Sequence, residues 1–174
     1  VVTDALRRIG GLDALPEPEL GGSPSEWRYR NRVTFTLRRK GASVTAGFHA
    51  LQDPASVVDV DGRCLLPEGP VAEAWAALRR SWGPGARHLP SGAELHLTLR
   101  ANHRGDVLVL VRGGRGRGNP ELLLERAPPV RAIWKAFGRK GGPPRLLAGA
   151  ERLKEEWYGD LLDLVPEAFL QGNR

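Results

Sequence analysis

Residues 30–39 constrain the fold more than any other stretch. They read Arg-Asn-Arg-Val-Thr-Phe-Thr-Leu-Arg-Arg and alternate without a break, with Val33, Phe35 and Leu37 on one side and Arg32, Thr34, Thr36 and Arg38 on the other. A period of two with one apolar side is a half-buried antiparallel strand, here with a basic wet face. Such a strand needs partners, and the chain offers them. Lys40-Gly41-Ala42 turns into a second strand around Val44–His49, and Val57–Val60 reads as a third. Glu94–Ala101 alternates Leu95, Leu97 and Leu99 against His96, Thr98 and Arg100, and Asn102-His103-Arg104-Gly105 joins it as a hairpin to the Val- and Leu-rich run Asp106–Arg112. Val130–Lys135, Arg145–Ala148, Arg152–Tyr158 and Asp160–Val165 complete the strands, the last two joined at Gly159. Between Pro67 and Trp82, Val71, Trp75, Leu78 and Trp82 fall at helical spacing, so both tryptophans belong to a core, and Gly83-Pro84 stops the helix. Short helices are expected at Thr3–Ile9 and Pro120–Arg126, and residues 12–26 read as a loop. The fold class is α+β: an antiparallel sheet with one long helix and short helices.

With 174 residues, 41% hydrophobic and 26% charged, the chain is sized for one ordinary domain that buries about 70% of its extended surface. No apolar run approaches the ~18–20 residues that cross a bilayer, and the first residues lack a signal-peptide pattern, so the expectation is a cytoplasmic protein with no membrane partner. The chain begins at Val1 and stops at Arg174 just past an apolar and acidic run, which reads as an excised piece of a longer protein.

Charge is unevenly placed. Between Glu26 and Lys40 six basic residues (Arg28, Arg30, Arg32, Arg38, Arg39, Lys40) face one acid, and Arg112–Arg145 holds nine against Glu121 and Glu125. Ala150–Glu167 reverses the sign, with six acids against Arg152 and Lys154. A net charge of +6, concentrated in two segments, is either a solvated basic face or the footprint of a phosphate-backbone partner. Arginine's planar fork favours the second.

Motifs for chemistry are sparse. His49, His88, His96 and His103 have no metal-ligand spacing and read as structural or solvated. No phosphate loop, zinc-protease or paired-carboxylate motif occurs, and the glycine-rich run Arg112–Gly118 reads as a mobile RNA-touching loop or a merely flexible one. Catalytic residues are therefore not expected in this chain. Cys64, the single cysteine, is either a small buried residue or a ligand, and Arg63 beside it would lower a thiol pKa. Trp27, interleaved with Arg28, Tyr29 and Arg30, is a candidate for stacking on unpaired bases.

Three segments together resemble the RNA uracil-5-methyltransferases, S-adenosylmethionine-dependent enzymes that form 5-methyluridine in ribosomal and transfer RNA. They are Ser23-Pro-Ser-Glu-Trp-Arg-Tyr-Arg-Asn-Arg-Val-Thr-Phe35, then Gly47-Phe48-His49 with Val57-Val-Asp-Val-Asp-Gly-Arg-Cys64-Leu-Leu-Pro67, and Leu147-Ala-Gly-Ala-Glu-Arg-Leu153 with Val165-Pro-Glu-Ala-Phe-Leu-Gln-Gly-Asn173. The resemblance covers nearly the whole chain and is most specific in the third segment. It implies a central domain that supports RNA (23–165), preceded by a helix and loop (1–22) and followed by the first residues (166–174) of a Rossmann-like methyltransferase domain missing here. It implies that Gln171 contacts S-adenosylmethionine and that Phe169 borders the target uridine; Arg28, Arg30 and Arg32 of the basic stretch are the further candidates for RNA contact. Leu170 and Gly172 depart from the family's usual residues. In some members a four-iron, four-sulfur cluster sits in the central domain, and Cys64 matches its fourth cysteine; the other three, clustered upstream in the family, would lie before Val1, absent either by truncation or by true loss. The family's thiolate nucleophile and general base would lie beyond Arg174. The reading is therefore a fragment of an RNA uracil-5-methyltransferase that supplies RNA binding and one cluster ligand, the alternative being a stand-alone RNA-binding module without catalysis.

Overall fold

The computed structural model describes residues 2–12, 14, 19, 21–22, 25–137, 142–157 and 159–167. Its strands are β1 (Arg32–Lys40), β2 (Ser43–His49), β3 (Val57–Asp59), β4 (Ser91–Ala101), β5 (Val107–Arg115), β6 (Val130–Ala136), β7 (Arg145–Gly149), β8 (Leu153–Trp157) and β9 (Asp160–Leu164). The helices are α1 (Val2–Arg8), α2 (Gly69–Ser81) and α3 (Pro120–Arg126), with a 3-10 turn at Pro84–Ala86. Seven strands form one sheet in the order β3-β2-β1-β4-β5-β6-β7, and β8 and β9 form a separate hairpin. No helix among the described residues is long and apolar enough to cross a membrane.

The α+β class is as expected, but the sheet is not wholly antiparallel. β5 and β6 run parallel, with Leu110 opposite Trp134. A parallel pair needs a crossover, and the seven-residue α3 provides it. Asn119 caps α3, its Oδ1 accepting the Leu122 N–H at 3.2 Å.

α2 covers one face of the sheet. Its Val71, Ala74, Trp75 and Leu78 are buried against Val33, Phe35 and Leu37 of β1 and Leu95, Leu97 and Leu99 of β4. Phe35 stacks on Trp75 with ring centroids 3.8 Å apart, Trp82 meets Trp75 edge-on, and the Trp75 Nε1–H donates to the Val60 carbonyl at 2.7 Å. Each fully buried side chain of this size contributes about 1.5–3 kcal/mol. The apolar side of β1 and the tryptophan face of α2 are thus one core.

Two expectations from charge and glycine content are corrected. Arg39, counted with the basic stretch read as a solvated face or phosphate footprint, is instead tied to backbone: its guanidinium donates to the carbonyls of Gly85 (2.8 Å), Ala86 (2.9 Å) and Gly92 (2.6 Å), and burial holds its pKa below the usual value. Nor is the run 112–118 a free loop, since β5 continues to Arg115. A Cβ on Gly114 (φ +66°) would stand 2.6 Å from Ser91 O and from Leu95 Cδ2, and one on Gly118 (φ +70°) 2.3 Å from His88 O. Glycine is required there by close packing, on β4 at Gly114 and on the segment just before β4 at Gly118, not by mobility.

Candidate nucleic-acid interface

The sheet face opposite α2 changes character from one strand to the next. Opposed pairs on this face are Arg32 with Arg100, Thr34 with Thr98, Thr36 with His96 and Arg38 with Glu94 across β1 and β4. Crossing to β5, Arg100 meets Leu108 and Thr98 meets Leu110; β6 then presents Ala132 and Trp134. The apolar half is covered by the β8–β9 hairpin, whose Leu153 and Leu164 pack on Leu108, Leu110, Ala132 and Ala136. Polar contacts hold the hairpin to the β4–β5 turn. Asn102 Nδ2 donates to Lys154 O (2.9 Å), the His103 N–H donates to Glu155 Oε1 (3.0 Å), and the Glu156 N–H donates to His103 Nδ1 (3.0 Å).

The polar half, on β2, β1 and β4, carries a row of neighbouring polar side chains. His49 Nδ1 lies 2.7 Å from the Pro54 carbonyl, which can only accept, so that nitrogen holds the proton. In the neutral ring Nε2 then accepts from the Thr36 hydroxyl at 3.1 Å. The Thr36 oxygen accepts in turn from His96 Nδ1–H at 3.2 Å. His96 Nε2 faces Glu94 Oε1 at 3.4 Å, an ion pair in the imidazolium form. Glu94 Oε2 accepts from Arg38 Nε at 2.6 Å, and that hydrogen bond, ahead of opposing desolvation, holds the Glu94 carboxyl below the ordinary carboxylate range. Arg38 also donates to Ala55 O. Thr36 and Thr98 form the buried floor, the Thr98 hydroxyl bonded to that of Thr34 at 2.8 Å, whereas Thr34 and His49 are exposed.

The expected RNA-contacting residues divide. Arg32 lies on this polar face, half-buried opposite Arg100. Arg28 and Arg30 are exposed on the segment before β1, which runs beside residues 65–68: the Arg28 N–H donates to Leu65 O (2.6 Å) and the Arg30 N–H to Leu66 O (3.1 Å). Trp27 is 54% exposed. Phe169 and Gln171 lie outside the described residues. Thr36, His49 and His96 were not expected to meet. The alternation of 94–101 places His96 beside Thr98 on a polar side, but nothing local foretells that three strands bring both imidazoles to one hydroxyl.

Cys64 is half-buried in the turn after β3, at an open depression of about 600 Å³ lined also by Asp59, Val60, Asp61 and Arg63. Arg63, expected to attend the thiol, pairs with Asp61 at 2.7 Å instead. No group of three His, Cys, Asp or Glu side chains suited to a metal occurs among the described residues. A four-iron, four-sulfur cluster takes four thiolates and this chain has one cysteine, so its own residues do not fit that cluster.

No protein-family model matches the chain. It is 28% identical over 144 residues to an uncharacterized RNA methyltransferase of Synechocystis, covering 76% of this chain and 31% of that protein. Further uncharacterized RNA methyltransferases are those of Thermosynechococcus vestitus, 27% identical over 188 aligned residues (99% of this chain, 41% of that one), and Corynebacterium efficiens, 31% identical over 123 residues (71% and 27%). The chain therefore spans well under half the length of these curated relatives. The crystal structure of Pyrococcus abyssi tRNA (uracil-54, C5)-methyltransferase in complex with S-adenosyl-L-homocysteine shares its fold, with a TM-score of 0.62 and 19% identity over 87% of this chain and 39% of that one. The chain is thus related to RNA methyltransferases. Its three sequence segments resemble the uracil-5-methyltransferases among them.

Proposed function

We propose that residues 23–165 are the RNA-supporting domain of a cytoplasmic, S-adenosylmethionine-dependent RNA uracil-5-methyltransferase, and that this chain is catalytically inert by itself. The similarity to RNA methyltransferases over 99% of the chain carries the reading. The described residues are consistent with a supporting role: a packed sheet with one face half open and polar, Arg32 on that face, and Arg28 and Arg30 exposed on the segment before β1. Residues 166–174 begin the catalytic domain in this reading, with Gln171 contacting S-adenosylmethionine and Phe169 the target uridine. Both lie outside the described residues. S-adenosylmethionine would supply the methyl group, and the contribution of this chain is to bind and orient RNA. Cys64 is one thiolate, and a four-iron, four-sulfur cluster would take three more that this chain's own residues do not supply.

The test uses tritiated S-adenosylmethionine and a mixture of unmodified ribosomal and transfer RNA. A protein containing this chain and its catalytic domain is expected to yield labelled 5-methyluridine after nuclease digestion, and the 174-residue chain none. Label transferred by the chain alone overturns the inertness. Label at a position other than uracil C5 overturns the specificity.

A further inference from the structure

We propose that the polar half of the sheet face, across β2, β1 and β4, is where the ribose–phosphate backbone of a single RNA strand lies, and that Glu94 occupies on Arg38 and His96 the anion position that a phosphate takes. This rests on the reading of the chain as an RNA-supporting domain and gives that reading a site and a gate.

Three observations lead there. The apolar half of the same face is roofed by the hairpin, whereas Thr34 and His49 remain exposed on the polar half, so the sheet has one covered and one accessible surface. The accessible part is built from hydroxyls, imidazoles and guanidinium groups, with Thr36 and Thr98 buried as its floor. Its sheet positions carry no Phe, Tyr or Trp to stack on bases, which points to the sugar–phosphate backbone and not to base faces. Glu94 is the acid among the opposed β1–β4 pairs of this face, and it accepts from Arg38 while facing His96. Nearby Asp53 is engaged within its own loop, by the Ala55 N–H and the Ser56 hydroxyl. A phosphate oxygen makes the same charge-assisted bond to a guanidinium that a carboxylate makes. RNA would exchange with Glu94 on Arg38, and the displaced carboxylate would then repel it. The gate therefore weakens binding in the wild type and favours strands that present a phosphate at this point.

The test is fluorescence anisotropy of the 174-residue chain with a fluorescein-labelled RNA hairpin whose loop contains unpaired uridines, titrated over a range of salt. Glu94→Gln is expected to tighten binding about threefold. Arg38→Gln is expected to weaken it about fivefold and to lower the slope of log K against log salt by about one. Thr34→Glu, at an exposed position, is expected to weaken binding by a similar factor and remains informative if Arg38→Gln fails to fold. Arg80→Ala on the α2 side of the sheet should leave binding within about 1.5-fold of wild type. Steep salt-dependent binding by the wild type that none of the first three variants alters overturns this site while the RNA reading stands. Weakened binding by Glu94→Gln overturns the gate. A wild-type chain that does not bind the hairpin, or binds with no salt dependence, overturns the RNA reading itself.

Discussion

On β5, Leu108 and Leu110 lie beneath the β8–β9 hairpin; one strand away on β4, Arg100, Thr98 and His96 occupy the same face of the same pleat, and the β1 residue beyond Thr98, Thr34, reaches solvent. Backbone pairing is continuous across the boundary, so the difference is entirely one of side chains. Where the row is Leu, Ala and Trp, covering it removes apolar area from water, at about 25 cal/mol per Å². Where it is Thr, His, Arg and Glu, covering it would strip hydration from groups that already satisfy one another laterally. On β4 the polar row is still buried at Arg100 and Thr98, each 2% exposed, and it opens to solvent at Thr34 on β1.

The largest effect expected from breaking this comparison is on the covered half. Leu110→Ala should cost about 3 kcal/mol in urea unfolding and speed amide exchange of β8, because it hollows the floor on which Leu153 and Leu164 rest. Glu155→Ala comes next, at about 2 kcal/mol by the same measurement. Its Oε1 accepts the His103 N–H at 3.0 Å and Glu155 is 5% exposed, so truncation takes that acceptor away, while the Glu156 N–H keeps His103 Nδ1. On the open half, Thr98→Val should cost only about 1 kcal/mol, the worth of its bond to Thr34, and leave hairpin exchange unchanged. A cost for Thr98→Val equal to that of Leu110→Ala would mean that the two halves are equally core.

The smallest effect is electrostatic. The folded-state pKa of Glu94 is depressed, chiefly by Arg38, so its contribution is fully present above the ordinary carboxylate range and is lost as pH falls through the depressed value. Because Glu94 is 39% exposed, solvent screening holds that contribution below about 0.5 kcal/mol. Glu94→Gln should therefore flatten the acid limb of Tm against pH slightly and leave Tm at neutral pH nearly unchanged. A steepened acid limb would show that Arg38 is not its partner.

How much of this was legible in the sequence depends on whether the signal was local. Val33, Phe35 and Leu37 alternate within one strand, and Val71, Trp75 and Leu78 repeat within one helix, so the core between β1 and α2 can be read from period alone. The parallel partnership of β5 and β6 cannot, because a Val- and Leu-rich strand looks the same whichever way its neighbour runs. Arg39 and Arg38 are adjacent and alike in sequence, yet the pleat sends the first to the carbonyls of Gly85, Ala86 and Gly92 and the second to Glu94. The glycines at 114 and 118 imitate a flexible loop because glycine serves freedom and close approach equally well. His49, Thr36 and His96 come from three strands, and their meeting is a property of register alone.

The parallel crossover also sets an order of assembly during synthesis. Leu108 and Leu110 emerge on β5, but the chain must pass through α3 before β6 can be laid alongside, and the roof that shelters these leucines ends at Leu164. A nascent chain delivered as far as Ala136 therefore displays a bare greasy strip, next to a strand edge awaiting β7, for as long as the ribosome takes to add the remaining residues. From β6 to β9 the leucine strip of β5 waits for its cover.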